Sequence, residues 1–483
     1  MSKTYRLVAA LLTIAFLAAP RTEGQSRRVL SPEVEQFVRI SAPTVALTHV
    51  RVIDGTGAEP RENQTVILSG DRIDWVGDAS GAPVPASAQV LDLAGCTVIP
   101  GLVGMHDHMF YPSGRVPIYN EMAYSFPKLY LAAGVTTIRT TGTLEPYTDL
   151  ELKKLIDSGR AVGPEIYVTG PYLEGPGAFT PQMHVLKDAE DARRTVDYWA
   201  DEGVTSFKAY MHITRDELAA AVLAAHKRGL KVTGHLCSIG FREAAAIGID
   251  DLEHGLFVDT EFVPGKAADV CPSELEASQI MAGLDLSSAP VQAMIGDLVE
   301  RHVAITSTLP VFEPDVPNRP PLDRRVLDAL LPEAQVDYLA NRIRSSSNAA
   351  LIETGATVFK KEMDFERMFV KAGGTLLAGE DPTGGGGILA GFGDQREVEL
   401  LVEAGFTPLE ALRISSYNGA QFLGQADRLG TIAAGRVADL VVIHGDPSKT
   451  IADIEKVEIV FKDGIGYDSA KLITAAQGSV GLH

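Results

Sequence analysis

The feature that most limits how this chain can fold is a long alternation of short apolar runs with helix-like stretches through its middle. Strand-like runs fall at 135–139, 165–169, 206–210, 231–235, 251–254, 303–307 and 374–378. Between them lie helical stretches such as 214–228, where Thr214 and Glu217 are spaced as a capping box. The apolar run before His106 adds one more. Eight βα units over roughly 290 residues are the pattern of a (β/α)8 barrel, whose reactive end gathers at the C-terminal ends of its strands. A doubly wound open sheet is the competing arrangement, but no Gly-x-Gly-x-x-Gly follows a strand. Gly384 to Gly387 lack the following Lys and Ser or Thr of a phosphate loop, and read as a mobile loop.

The two ends have a different texture. Alternating segments at 44–53, 64–68 and 74–76, with a turn at Asp54–Gly57, are hairpin signals, and a similar pattern returns at 435–444 and 457–464. The expected fold is therefore α/β: a TIM-type barrel over 101–424 and a small β-sandwich domain formed from both ends, 44–100 and 425–470. Ahead of these, Lys3 and Arg6 precede a short apolar run ending at Ala19. Residues 1–25 thus have the form of a secretory signal peptide, and the apolar run is short for a bilayer span. The expectation is an exported protein, periplasmic or extracellular, with no stable membrane anchor after cleavage. Its formal charge is −20, and the lost segment carries Lys3, Arg6 and Arg21 against Glu23, so the mature chain is more negative still. Such a surface repels nucleic acid and anionic lipid. The three cysteines, Cys96, Cys237 and Cys271, exclude a disulfide scaffold and allow at most one bridge.

Chemistry-bearing residues collect at one end of this pattern. His106 and His108 are two apart on an extended run, so they share a face and Asp107 turns away. Alone, they read more readily as a hydrogen-bonded pair than as metal ligands. The fourth strand ends at Lys208, the fifth at His235, the sixth at His254 and the eighth at Asp381. Each has an ordinary account: a snorkelling lysine, a strand-capping histidine, a turn-forming aspartate before Pro382. Their joint placement at one barrel end is what favours a site. Cys237, two residues after His235, is either a competing soft ligand or buried loop packing.

The stretches "VIDGTG", "VIPGLVGMHDH", "GHLCSIGFREAAAIGIDDLEHG", "LLAGEDPTGGGG", "VEAGFTPLEALRISSYNGAQFLG" and "LGTIAAGRVADLVVIHGDP" resemble the amidohydrolase superfamily, in its imidazolonepropionase-like and prolidase-like branch. The resemblance spans nearly everything after residue 44. It implies a binuclear site, with His106, His108 and Asp381 on one metal, His235 and His254 on the other, and Lys208 bridging both as a carbamate formed with carbon dioxide. A carbamate offers two anionic oxygens where the free amine offers none. Two divalent ions sharing a hydroxide would attack a carbonyl, with Asp381 moving the proton to the leaving amine. Imidazole and carboxylate ligands suit zinc, and manganese or cobalt also fit. Leu236-Cys237-Ser238 stands where prolidase-like relatives carry an aromatic residue that helps hold a substrate carboxylate. His184 lies in the loop after the third strand, where relatives place a substrate-polarising histidine.

The function expected is a metal-dependent hydrolase of carbon–nitrogen bonds in a small amide, N-acyl amino acid or dipeptide. A lactonase or phosphotriesterase would use the same site, and an inactive secreted binding barrel is the alternative from another class. A deaminase would leave Lys208 without a role. A homo-oligomer is compatible with the sequence. The segment 313–371, first rich in proline and then helical, is expected to cover the pocket.

Overall fold

The computed structural model describes residues 29–114, 118–320, 322–347 and 349–481, so the signal peptide expected at 1–25 lies outside the described residues. The middle of the chain is built on parallel strands in two arcs. The first arc holds three strands, Leu102–Asp107, Val135–Thr140 and Glu165–Tyr167; the second holds five, Ser206–Ala209, Lys231–Gly234, Asp251–Glu253, Ala304–Ser307 and Leu376–Ala378. We refer to them as the first to eighth strands. The arcs are stitched together where the third meets the fourth, by Thr205 N–H to Val168 O at 2.7 Å and Gly170 N–H to Ser206 O at 2.9 Å. On the opposite side the Asp381 N–H donates to His106 O at 2.9 Å, which ties the turn after the eighth strand to the end of the first. Gly379 permits that approach, because a Cβ there would run into the His106 backbone.

These strands are buried on both faces, which is why they read as continuous apolar runs rather than alternating ones. The third to sixth stop one or two residues earlier than the sequence pattern suggests. Thr169, Tyr210, His235 and His254 all fall just past a strand end, where the backbone is free to turn. The helix Arg215–Lys227 shows how the outer layer is fixed. Thr214 and Glu217 form the expected capping box, and Leu218, Ala221, Val222 and Ala225 make the buried stripe at helical spacing.

Both ends of the chain meet in one nine-stranded sheet. Its central pairing sets Leu440–His444 antiparallel to Cys96–Pro100, so strands more than 300 residues apart lie side by side. The hydrogen-bonded order runs through eight of the strands, and the ninth, Gln89–Asp92, branches off Thr44–Val52. Val45, Leu47, Val66, Val98, Leu440, Val442 and Phe461 give this region an apolar core of its own. The chain is thus mixed α/β, of TIM-barrel type with an additional sheet domain.

Three details bear on loops near the strand ends. Cys237 is bonded to Cys271 in a disulfide, which removes it as a metal ligand: its sulfur is spent in a covalent bond that pins the loop after the fifth strand. Gly384 to Gly387, read from sequence as a mobile loop, are tied down. The Gly387 N–H donates to the Tyr111 hydroxyl at 2.9 Å and Asn341 Nδ2 donates to Gly385 O at 2.7 Å. Segment 313–371 contains the helices Arg324–Ala329, Pro332–Ser347 and Ala349–Lys371. Among the described residues no helix is long and apolar enough to cross a membrane.

Candidate metal centre

The first strand delivers His106 and His108 to one side, and both are fully buried. His106 Nδ1 lies 2.7 Å from Glu253 Oε2; a carboxylate only accepts, so Nδ1 carries the proton and Nε2 is left with its lone pair. That Nε2 accepts from Lys208 Nζ at 3.0 Å and stands 3.5 Å from Asp381 Oδ2. His108 donates from Nδ1 to the Gly142 carbonyl at 3.1 Å, leaving Nε2 3.4 Å from Asp381 Oδ1. His254 Nδ1 is 2.6 Å from Thr308 Oγ1, and its Nε2, 3.8 Å from Asp381 Oδ2, is buried with no hydrogen-bond partner among the described residues. His235 completes the group, its ring 4.5 Å from that of His254. Five of the six strand-end residues singled out from sequence are linked by these distances, and His235 joins through its ring.

Burial is the dominant influence on their protonation. It drives the His108 imidazole down to about 4 and that of His235 to about 3, and it holds His106 and His254 low as well. Burial also lowers the Lys208 ammonium to about 8, against the opposing pull of Glu253 and Asp381. For Asp381 burial works toward the neutral acid, but His106 and His108 outweigh it and hold the carboxyl well below its usual range. The imidazoles are therefore neutral near pH 7 and the carboxylate is charged. That is the donor set a divalent cation requires.

The backbone bends to make this arrangement. His254 sits at φ +69° and Asp381 at φ +50°, a left-handed conformation that costs a non-glycine residue roughly 1–3 kcal/mol and clusters at functional positions.

Sequence reasoning missed the layer behind the ligands. Arg139 on the second strand is fully buried and donates from Nη2 to Glu253 Oε1 at 2.7 Å and to Met105 O at 2.7 Å. Glu253 is the carboxylate that fixes the His106 tautomer. Burial raises its carboxyl, yet Arg139 and His106 together bring it well below its usual value. A charged residue near the end of each of two short strands, Arg139 in a Thr-rich run and Glu253 just before His254, was the available signal. His184, by contrast, pairs with Asp191 Oδ2 at 3.1 Å, its side chain half exposed, and no contact among the described residues links it to the histidine group.

His106 Nε2, His108 Nε2 and an Asp381 oxygen lie within 4.8 Å of one another, and the unpartnered His254 Nε2 is turned toward the same carboxylate. Donor type, neutrality and an unpartnered buried nitrogen all fit a bound metal. Such a group at the strand ends of a TIM-barrel-type fold defines the class, a metal-dependent enzyme.

Comparison with known proteins narrows this. The profile of the Amidohydrolase family matches residues 97–273 and 360–465. An imidazolonepropionase of Pseudomonas fluorescens is 33% identical over 414 residues, covering 82% of this chain and 92% of that protein. One from Streptomyces griseus subsp. griseus is 24% identical over 443 residues, 88% of this chain and 97% of the other. The crystal structure of a putative prolidase from Bifidobacterium longum superposes with a TM-score of 0.67 at 24% identity, covering 90% of this chain and 99% of that one. The chain belongs to the amidohydrolase family, which is metal-dependent, and it is a hydrolase acting on carbon–nitrogen bonds.

Proposed function

We propose that this protein hydrolyses the carbon–nitrogen bond of a small amide or peptide-like substrate at a binuclear centre. His106, His108 and Asp381 would hold one divalent ion, His235 and His254 the other, and Lys208 would bridge them as a carbamate. The observation that carries this reading is Lys208 itself: a fully buried amine 3.0 Å from a ligand nitrogen, facing carboxylates rather than solvent. A lysine kept there only for packing has no reason to point its nitrogen into a ring of imidazoles. The ammonium first gives up one proton; the free amine nitrogen then bonds to carbon dioxide and releases a second, so a cation that would repel metals becomes an anion that attracts them. The low ammonium affinity leaves free amine available near neutral pH.

When bound, two zinc ions would supply a water ionised near neutral pH and an electrophile for the scissile carbonyl. The protein's own residues do the rest. Asp381, held as the anion beside His106 and His108, takes a proton from the attacking water and returns it to the leaving amine nitrogen. Glu253, fixed by Arg139, keeps the His106 lone pair aimed at the site. Export of the mature chain is part of the proposal. It rests on the form of residues 1–25, and the Cys237–Cys271 disulfide supports it, since such bonds persist in oxidising compartments.

Metal analysis of dialysed protein tests the centre, with about two ions per chain expected. Lys208→Ala should lose both the second ion and turnover, with partial recovery on adding a short carboxylic acid. Full activity in metal-stripped protein, or an undiminished metal content in Lys208→Ala, would overturn the reading.

A further inference from the structure

Aromatic side chains form a closed circuit that begins and ends on one candidate ligand. The His108 ring stacks on Phe110 at 4.4 Å and 25°. Phe110 meets Tyr119 at 5.2 Å, Tyr119 meets Phe179 at 5.5 Å, and Phe179 meets Tyr210 at 5.5 Å. Tyr210 meets Tyr172 at 4.8 Å, and Tyr172 returns to His108 at 6.3 Å. Tyr210 also lies 4.8 Å from the His235 ring, so the circuit touches ligands proposed for both ions.

The five rings come from three separate places: the hairpin Phe110–Ser113 and Ile118–Glu121, the loop after the third strand, and the end of the fourth. They are held deliberately. Gln182 brackets the Tyr119 backbone, accepting from its N–H and donating to its carbonyl, each at 2.9 Å, which pins the Phe179 loop to the hairpin. Gly142, at φ +81°, leaves room for the Tyr172 ring, where a Cβ would collide, while its carbonyl orients His108. An ordinary apolar core would account for such packing if the rings were sealed. Phe110, Tyr119 and Tyr172 are buried, but the wall they back is open: Phe179 is 37% exposed and Tyr210 is half-buried, directly beside a group of buried imidazoles.

We propose that Phe110, Tyr119, Tyr172, Phe179 and Tyr210 form the subsite for the group next to the scissile bond, and that this group is aromatic. The proposal rests on the amide-hydrolase reading above. Flat rings lined edge to face present apolar area and quadrupoles suited to another ring, in the T-shaped and tilted arrangements that the five already use among themselves. Specificity in such folds is carried by the loops after the strands, and two of these rings, Tyr172 and Phe179, are on the longest of the early ones.

The test uses the metal-loaded full mature chain and matched pairs of substrates: hippurate against N-acetylglycine for the acyl side, N-acetylphenylalanine against N-acetylalanine for the amine side. On one side the aromatic member should have a kcat/KM about 10-fold or more above its partner. Phe179→Ala should cut that ratio several-fold, mainly through KM, whereas Tyr198→Ala, on the far outer surface, should leave it unchanged. Calorimetric binding of benzoate and of phenylalanine, against acetate and alanine, is read alongside. No hydrolysis with selective aromatic binding would sink the amide reading and keep the subsite. Equal handling of aromatic and small members in both assays, or a ratio indifferent to Phe179→Ala, would overturn the proposal.

Discussion

The end of the first strand separates two groups of buried ionisable residues that differ in one respect only. On one face, His106 and His108 meet Asp381, with Lys208 and the Arg139–Glu253 pair behind them. On the other, Asp107 meets Glu380 and Asp394, again three ligand-type residues within 4.8 Å and fully buried or nearly so. In the first group opposite charges and neutral imidazoles are mixed, and the carboxylate stays ionised. In the second there are only carboxyls. Burial raises all three, and the mutual repulsion of Asp107, Glu380 and Asp394 raises Asp107 and Glu380 further; Asp394 reaches about 7. The same residue types, one peptide unit apart, become a charged ligand on one face and proton-holding acids on the other. Counter-charge, not burial, decides which.

The largest test of that contrast is Asp381→Asn. It removes the ionised carboxyl that stands against the His106 and His108 Nε2 atoms and should lower turnover by about 100-fold or more with the fold retained, as measured by steady-state rates and circular dichroism. Near-normal turnover would mean that the proton is carried elsewhere. Next in size is Glu253→Gln, which loses the anion that aims His106; metal affinity should fall about 10–100-fold in a chelator competition. An unchanged affinity would show that the Arg139–Glu253 pair serves packing alone.

The carboxyl face is tested by pH. An acid whose folded-state pKa is raised stabilises the fold fully below its unfolded value, and that contribution is lost as pH rises through the folded value. For Asp394 the window runs from 3.8 to about 7. Wild type should therefore lose up to about 1.4 kcal/mol of stability per pH unit across that window from this group, and Asp394→Asn should lose less. Thermal melts of both proteins from pH 4 to 8 would show the curves converging on the acid side and the variant gaining on the alkaline side. Parallel curves would mean that Asp394 is ionised throughout.

These two faces also mark how far sequence could reach. The strands were legible because short, doubly buried strands leave continuous apolar runs, and the histidines because an i, i+2 spacing fixes a shared face. Their exact ends were not, since His235 and His254 lie just past strands that local pattern extends over them. Arg139 was opaque for a different reason. In a run of threonines it looks solvated, and its meaning depends on Glu253, 114 residues away. Three cysteines allow three pairings, and only proximity in space selects Cys237 with Cys271. His184 shows the converse hazard: a loop position in sequence carries no direction, and the side chain is found paired with Asp191.

The smallest expected effect belongs to Glu380→Gln, and it sharpens the comparison most because Glu380 is the neighbour of Asp381. Its side chain turns to the carboxyl face, where Oε2 accepts from the Asp394 N–H at 3.1 Å. Burial, with Asp394 and Asp107 adding to it, keeps this group protonated near neutrality. Glutamine has the same shape, no charge to lose, and a carbonyl oxygen able to accept the same bond. Turnover should stay within about threefold of wild type at pH 7, because no ionised group is gained or lost. A tenfold loss of turnover in Glu380→Gln, with metal content intact, would mean that the two faces are electrically joined through the strand and that the proton held behind it takes part in the reaction.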